Sequence, residues 1–158
     1  GARDPANPHP EGKVPLLVHD GAVIRESNAI MLYLTDLYPE TPLGRPVGHP
    51  SRGAYLSWLA WYGNVFEPVF LLDFAGLSHP ALGASLRDLD TAVSRLTETL
   101  SQRDYLVDDN FSAADILLAS TYGWLPDAVP DVPAIRDWVA RCLERPAMQE
   151  VSRAQMAP

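Results

Sequence analysis

Two short apolar runs, Leu16-Leu17-Val18 and Val23-Ile24, flank His19-Asp20-Gly21 and lead at once into a helical pattern. This stretch constrains the fold more than any other. Asp-Gly is a turn signal, and Gly21 can take positive φ without steric cost. The runs predict an antiparallel hairpin. A two-stranded hairpin is too small to stand alone in water, so it must pair with further strands or lie under helices. The helix that follows is predicted from about Asn28 to Tyr38. Ile30, Leu34 and Leu37 share one face, Ser27 stands at the N-cap position, and Pro39 and Pro42 stop the helix.

The rest of the chain reads differently. Residues 1–12 form a loop, because Pro5, Pro8, Pro10 and Gly12 break any periodicity. Leu43 to Pro50 reads as a linker. After Ser51 the pattern is helical throughout. Tyr55, Trp58, Leu59, Tyr62, Phe66 and Val69 line one side of a long helix, with an interruption near Pro68. Leu86, Leu89, Val93, Leu96 and Leu100 repeat at steps of three and four. Ser112 and Asp115 have capping-box spacing, with Phe111 and Ile116 at the staple positions. Ile135, Trp138, Val139 and Cys142 mark another helix, and Arg145-Pro146 opens a last one. The predicted class is α+β: a small α/β piece over residues 1–43, then an all-helical domain over residues 44–158.

Composition excludes several functions. The net charge of −8 over 158 residues argues against nucleic acid and against an anionic membrane surface, since both need a cationic footprint. No apolar run approaches the roughly 20 residues of a membrane helix. No secretory signal pattern opens the chain, and Cys142 is the only cysteine, so no intramolecular disulfide can form. A cytoplasmic location is the default expectation. His9, His19, His49 and His79 are scattered without metal-ligand spacing, so no metal is expected. No nucleophile-elbow, P-loop or dinucleotide motif is present.

Two short segments can bind a ligand. Proline at position 15 pushes Val14 toward extended geometry. If the Val14–Pro15 bond is cis, the Val14 N–H and C=O face outward and can pair with an extended ligand. Glu26-Ser27 opens a helix, where unpaired amides, the dipole and the Ser27 hydroxyl suit a carboxylate. Glu26 suits an ammonium, so the pair reads an amino-acid head group. Each residue also has a plainer reading. Ser27 alone is an ordinary N-cap, Pro15 punctuates a strand edge, and Lys13 is a solvated charge. Asp115 is better explained by capping than by catalysis. Trp58, Tyr62 and Phe66 read as core before pocket, and Cys142 as a packed thiol.

The order of these motifs resembles the glutathione transferase family of bacterial type. Asn7-Pro8, Gly12-Lys13-Val14-Pro15, Asp20-Gly21, Glu26-Ser27-Asn28-Ala29-Ile30 and Tyr33-Leu34 look like the second half of that family's N-terminal domain. Phe111 to Ile116 resembles the capping box of its helical C-terminal domain, and Arg145-Pro146-Ala147 its ending. The resemblance implies part of a thioredoxin-like domain followed by a helical bundle. It implies a cis Pro15, Val14 pairing with the cysteinyl part of glutathione, and Glu26 and Ser27 holding its γ-glutamyl end. Lys13 is a candidate for the glycyl carboxylate. Trp58, Tyr62 and Phe66 are candidates for an electrophile pocket, and Ser112 with Asp115 form the structural cap.

The activity implied is conjugation of the glutathione thiol to an electrophile, as in detoxification, by a homodimer with glutathione as cosubstrate. The alternatives are a glutathione-dependent isomerase or dehalogenase, or a non-catalytic binding protein. Family members begin with a strand-helix-strand unit that carries the thiol-activating Tyr, Ser or Cys. No residue here matches that role, so no catalytic residue is assigned, and the unit is expected outside this sequence.

Overall fold

The computed structural model describes residues 4–156; residues 1–3 of the expected N-terminal loop, and residues 157–158, lie outside the described residues. The hairpin forms, with β1 at Leu16–His19 and β2 at Ala22–Arg25. Leu16 pairs with Arg25 and His19 with Ala22, which leaves a two-residue turn. Asp20 and Gly21 both have positive φ, 48° and 77°, the type I′ requirement. His19 therefore belongs to the strand and not, as expected, to the turn. Its Nδ1 lies 2.7 Å from the Tyr33 hydroxyl, which ties the turn to the following helix.

That helix, α1, spans Ser27–Leu37. Its start corrects the reading of Ser27 as N-cap. Glu26 holds the cap position, and neither side chain makes a capping hydrogen bond. The Ser27 hydroxyl is thus not spent on the helix terminus. On the opposite side, Thr35 is buried and lies 2.9 Å from the Tyr55 hydroxyl. Gly44 packs so closely over Thr35 that an added Cβ would come within 2.6 Å of the Thr35 Cβ.

The long aromatic helix is continuous but not uniform. α2 runs Arg52–Trp61, a π-helical turn follows at Tyr62–Phe66, and α3 runs Glu67–Phe74. The expected break near Pro68 is thereby corrected to a widening one turn earlier. In regular α geometry Pro68 would crowd the Asn64 carbonyl and offer it no N–H. The chain widens instead of ending. At this widening the Asn28 amide of α1 donates to the Leu59 carbonyl at 3.3 Å, and Gly63 leaves room for it.

A second correction concerns Leu86 to Leu100. Leu86 ends a short helix α4, Pro80–Leu86, and α5 begins at Leu89 and ends at Leu100. Arg87 has φ 77°, and the Asp88 carboxylate accepts from the Thr91 amide at 2.8 Å, so a cap divides the apolar repeat. α6 spans Ala113–Trp124, α7 Pro133–Leu143 and α8 Pro146–Met156. Among the described residues, no helix is long and apolar enough to cross a membrane.

The core lies in the helical part. Tyr55, Phe66, Leu96, Leu118, Tyr122 and Trp138 are among its large, fully buried side chains. Cys142 is packed there too, and burial pushes its thiol up to about 12, which keeps it protonated and inert. At the base of α6 a capping box joins Ser112 and Asp115. The fully buried Asp115 carboxylate accepts from the Ser112 amide and hydroxyl, the Leu106 amide and the Trp138 indole, all at 2.9–3.0 Å. Burial raises its pKa and these donors oppose the rise.

The linker is clamped to the same region. The Arg45 guanidinium, 4% exposed, grips Asp108 through two bonds of 2.6 and 2.7 Å. It also donates to the carbonyls of Pro42, Gly44 and Asn110. The Ala113 amide, at the start of α6, donates to the Leu43 carbonyl at 3.0 Å.

Asp115 carries more than one helix cap. Asp115→Ala should cost about 3 kcal/mol or more, because it orphans several buried donors at once. A urea titration showing a loss near 1 kcal/mol, the size of a single cap, would contradict this network. Asp108 makes a pH prediction. Its hydrogen bonds to Arg45 hold its carboxyl below the usual carboxylate range. The stability it adds is present above pH about 4 and is lost as pH falls through its lowered folded value. Asp108→Asn should therefore flatten the acid limb of a stability-against-pH curve while leaving its shape above pH 5 unchanged.

Candidate functional site

A polar cleft opens where the hairpin, α1 and the start of α3 meet. Lys13, Val14, Pro15, Glu26 and Ser27 all line it, together with His9, Glu11 and Glu67. The structure thus brings together five site candidates from two separate stretches of sequence.

The first wall is built by Asn7. Its side-chain amide donates to the Lys13 carbonyl at 3.0 Å, and its oxygen accepts from the His9 amide at 2.9 Å. Gly12, at φ 65°, turns the loop back so that its amide reaches the His9 carbonyl. His9 is 3% exposed, and its Nδ1 accepts from the Glu11 amide at 3.1 Å. The closed loop delivers the cis Val14–Pro15 peptide to the rim, with Val14 83% exposed.

The second wall is the start of α1. Glu26 has φ 68° and ψ 121°, a conformation few non-glycine residues adopt, at a typical cost of about 1–3 kcal/mol. Its carbonyl still accepts the first helical bond, from Ile30 at 2.9 Å. Its side chain is exposed at the cleft, next to the Ser27 hydroxyl and the helix-start amides. The N-terminal dipole adds partial positive charge there. The wall offers a carboxylate for a cation, and a hydroxyl with amides for an anion.

The third wall comes from the π-helical turn. Tyr62 and Glu67 are five residues apart, and the Glu67 amide donates to the Tyr62 carbonyl, so their side chains align. The Tyr62 hydroxyl donates to Glu67 Oε1 at 2.9 Å. Burial, followed by the nearby Glu67 charge, pushes Tyr62 up to about 12, while the Thr121 and Ser27 hydroxyls draw it back. Tyr62 and Glu67 also border a second cleft, with Phe70, Leu71, Ser120, Thr121 and Trp124.

The aromatic candidates separate. Tyr62 reaches this second cleft, whereas Trp58 and Phe66 are core side chains. Trp58 packs edge-on to Trp61, and the Arg95 guanidinium lies over both rings at 4.4 and 4.5 Å. Phe66 is wholly buried against Phe70 and Tyr122. Ser112 and Asp115 serve the buried network described above. Among the described residues, no group of three or more His, Cys, Asp or Glu could hold a metal ion. Sequence reasoning missed His9 and Glu67. His9 was one scattered histidine among four, and only its burial marks it. Glu67 reaches the cleft through a π-helical turn that has no periodic signature.

Comparison with known proteins gives a consistent result. Residues 3–42 match the family model described as glutathione S-transferase, N-terminal domain, and residues 64–146 match glutathione S-transferase, C-terminal domain. The chain is 30% identical to protein LigF of a Sphingobium species, covering 90% of this chain and 74% of that one. It is 28% identical to glutathione S-transferase GstA of Escherichia coli O157:H7, covering 93% and 76%. The structure of a sphingomonad glutathione S-transferase complexed with glutathione superimposes with TM-score 0.78 at 32% identity, covering 94% of this chain and 77% of that one.

Proposed function

We propose, from the premise that this chain belongs to the glutathione S-transferase family, that its polar cleft holds glutathione for transfer to an electrophilic small molecule. The carrying observation is the cleft itself, in which Val14 and Pro15 face Glu26 and Ser27. In this reading Glu26 takes the γ-glutamyl ammonium. The Ser27 hydroxyl and the first amides of α1 take its carboxylate. The exposed Val14 backbone pairs with the cysteinyl unit, and Lys13 meets the glycyl carboxylate. Lys13 is the sole Lys or Arg among the cleft residues, and it lies on the Val14 side.

The reaction joins the glutathione sulfur to an electrophilic carbon. The thiol gives up its proton, the thiolate attacks, and the leaving group departs with its electron pair. We assign the thiol-activating role to no residue of this chain. The electrophile would sit in the second cleft, against Phe70, Leu71 and Trp124, beside the cosubstrate and separated from it by Glu67. Phe66 would back this wall through Phe70, while Trp58 lies in the core against Trp61 and Arg95, away from the electrophile. Residues 1–43 would form part of a thioredoxin-like domain and residues 44–158 the helical domain, in a homodimer.

A second reading is favoured by one relative. LigF, 30% identical, has a solved structure described as a β-etherase, at 27% identity and TM-score 0.70. There the leaving group would be an aryl oxide, displaced by the same thiolate attack. Turnover of a β-aryl ether without turnover of a halonitrobenzene would favour it.

Ser27→Ala tests the cosubstrate assignment. Loss of one charge-assisted bond should weaken glutathione binding about tenfold. Thermal stability should fall only slightly, because Ser27 makes no capping bond and its hydroxyl meets only the Tyr62 hydroxyl, which Glu67 also holds. Unchanged affinity in a calorimetric titration would remove Ser27 from the site.

A further inference from the structure

Among the described residues, Glu67 is the one that lines both the polar cleft and the second cleft. We propose that Glu67 sets the charge preference of the second cleft, admitting neutral or donor-bearing aromatic groups and excluding those that carry a carboxylate. The inference rests on the glutathione reading above and names the substrate class for it.

Three observations carry it. First, Glu67 is the only charged residue lining the second cleft, whose apolar faces come from Phe70, Leu71 and Trp124. No cation lies in that lining to neutralise it. Second, the carboxylate is held in place. The π-helical turn aligns residues 62 and 67, and the Tyr62 hydroxyl donates to Oε1 at 2.9 Å. Third, the hydroxyl protons of the lining point elsewhere. Tyr62 gives its single proton to Glu67, Ser120 gives its own to the Leu117 carbonyl at 2.8 Å, and the Thr121 hydroxyl is turned to Tyr62. Around Glu67 these groups present acceptor oxygen, and the Trp124 indole N–H is a neutral donor at the exposed rim. An amide, phenol or ammonium finds partners there. A carboxylate finds like charge in a half-buried site, where water screens it less than at an open surface.

The test uses the full chain and ligands that reach from one cleft into the other: glutathione, S-(4-carboxybenzyl)glutathione and S-(4-carbamoylbenzyl)glutathione. Binding is read by calorimetry and by tryptophan fluorescence. Trp124, 73% exposed, lines the second cleft, while Trp58, Trp61 and Trp138 are buried. The carbamoyl ligand should bind about tenfold tighter than the carboxyl ligand. Glu67→Gln should bring the two within about twofold, whereas Tyr62→Phe, which keeps the charge, should preserve most of the difference. Equal binding of the pair by the unaltered protein, or a ratio unmoved by Glu67→Gln, overturns the inference and leaves the glutathione reading intact. Failure of all three ligands to bind, glutathione included, overturns both.

Discussion

The buried carboxylate of Asp115 is the interaction on which the helical domain depends. It lies at the start of α6 and draws together three segments, two through backbone amides and one through an indole. Ser112 belongs to the cap, Leu106 to the loop after α5, and Trp138 to the middle of α7. An ionised group in that position would be costly without partners. Its donors make it affordable and also directional, because each donor must arrive along a set line. The loop between α5 and α6 is thereby fixed as firmly as the helices beside it.

That fixed loop then positions the cleft. Arg45 anchors the linker to Asp108, three residues before the Ser112 amide region begins at Phe111. Arg52 grips Asp36 with bonds of 2.8 and 3.0 Å and reaches the Arg45 carbonyl as well. Thr35 meets Tyr55, and Asn28 meets Leu59. These contacts hold α1 against α2 along its whole length. The start of α1 consequently stands beside the π-helical turn, and Ser27 comes close to Tyr62 and Glu67. No contact within the hairpin alone could set that relation.

Much of this was legible from residue order. The Asp20-Gly21 turn, the presence of α1 and the Ser112–Asp115 cap follow from local rules that hold wherever the pattern occurs. The expected Ile30-Leu34-Leu37 face of α1 does not meet the core: Thr35 is the buried residue, Met31 and Leu32 pack on the core, and Leu37 is exposed. Val14-Pro15 and Glu26-Ser27 line one cleft, and the hairpin between them is the physical reason, since it brings its two ends together. The failures are of another kind. The division between α4 and α5 hides inside an unbroken apolar repeat, and only the Asp88–Thr91 cap reveals it. The widened turn at Tyr62–Phe66 shifts every later residue by one position around the helix. Glu67 reaches the cleft through that shift, and a strict 3.6-residue period points it elsewhere. The reach of Asp115 to Trp138 spans 23 residues and two elements, which no local rule can see.

The cleft also joins two parts of different make-up: among the described residues, the hairpin contributes no buried residue to the core, whereas the adjoining helices hold it. The strained Glu26 backbone sits at this junction, fixed on one side by the strand pairing of Arg25 and on the other by the first turn of α1. A ligand that fills the cleft would touch the loop at Lys13 to Pro15, the helix start, and Glu67 on the helical side. It would meet all three together only in the arrangement that the α1–α2 contacts hold, so its binding would favour that arrangement by mass action.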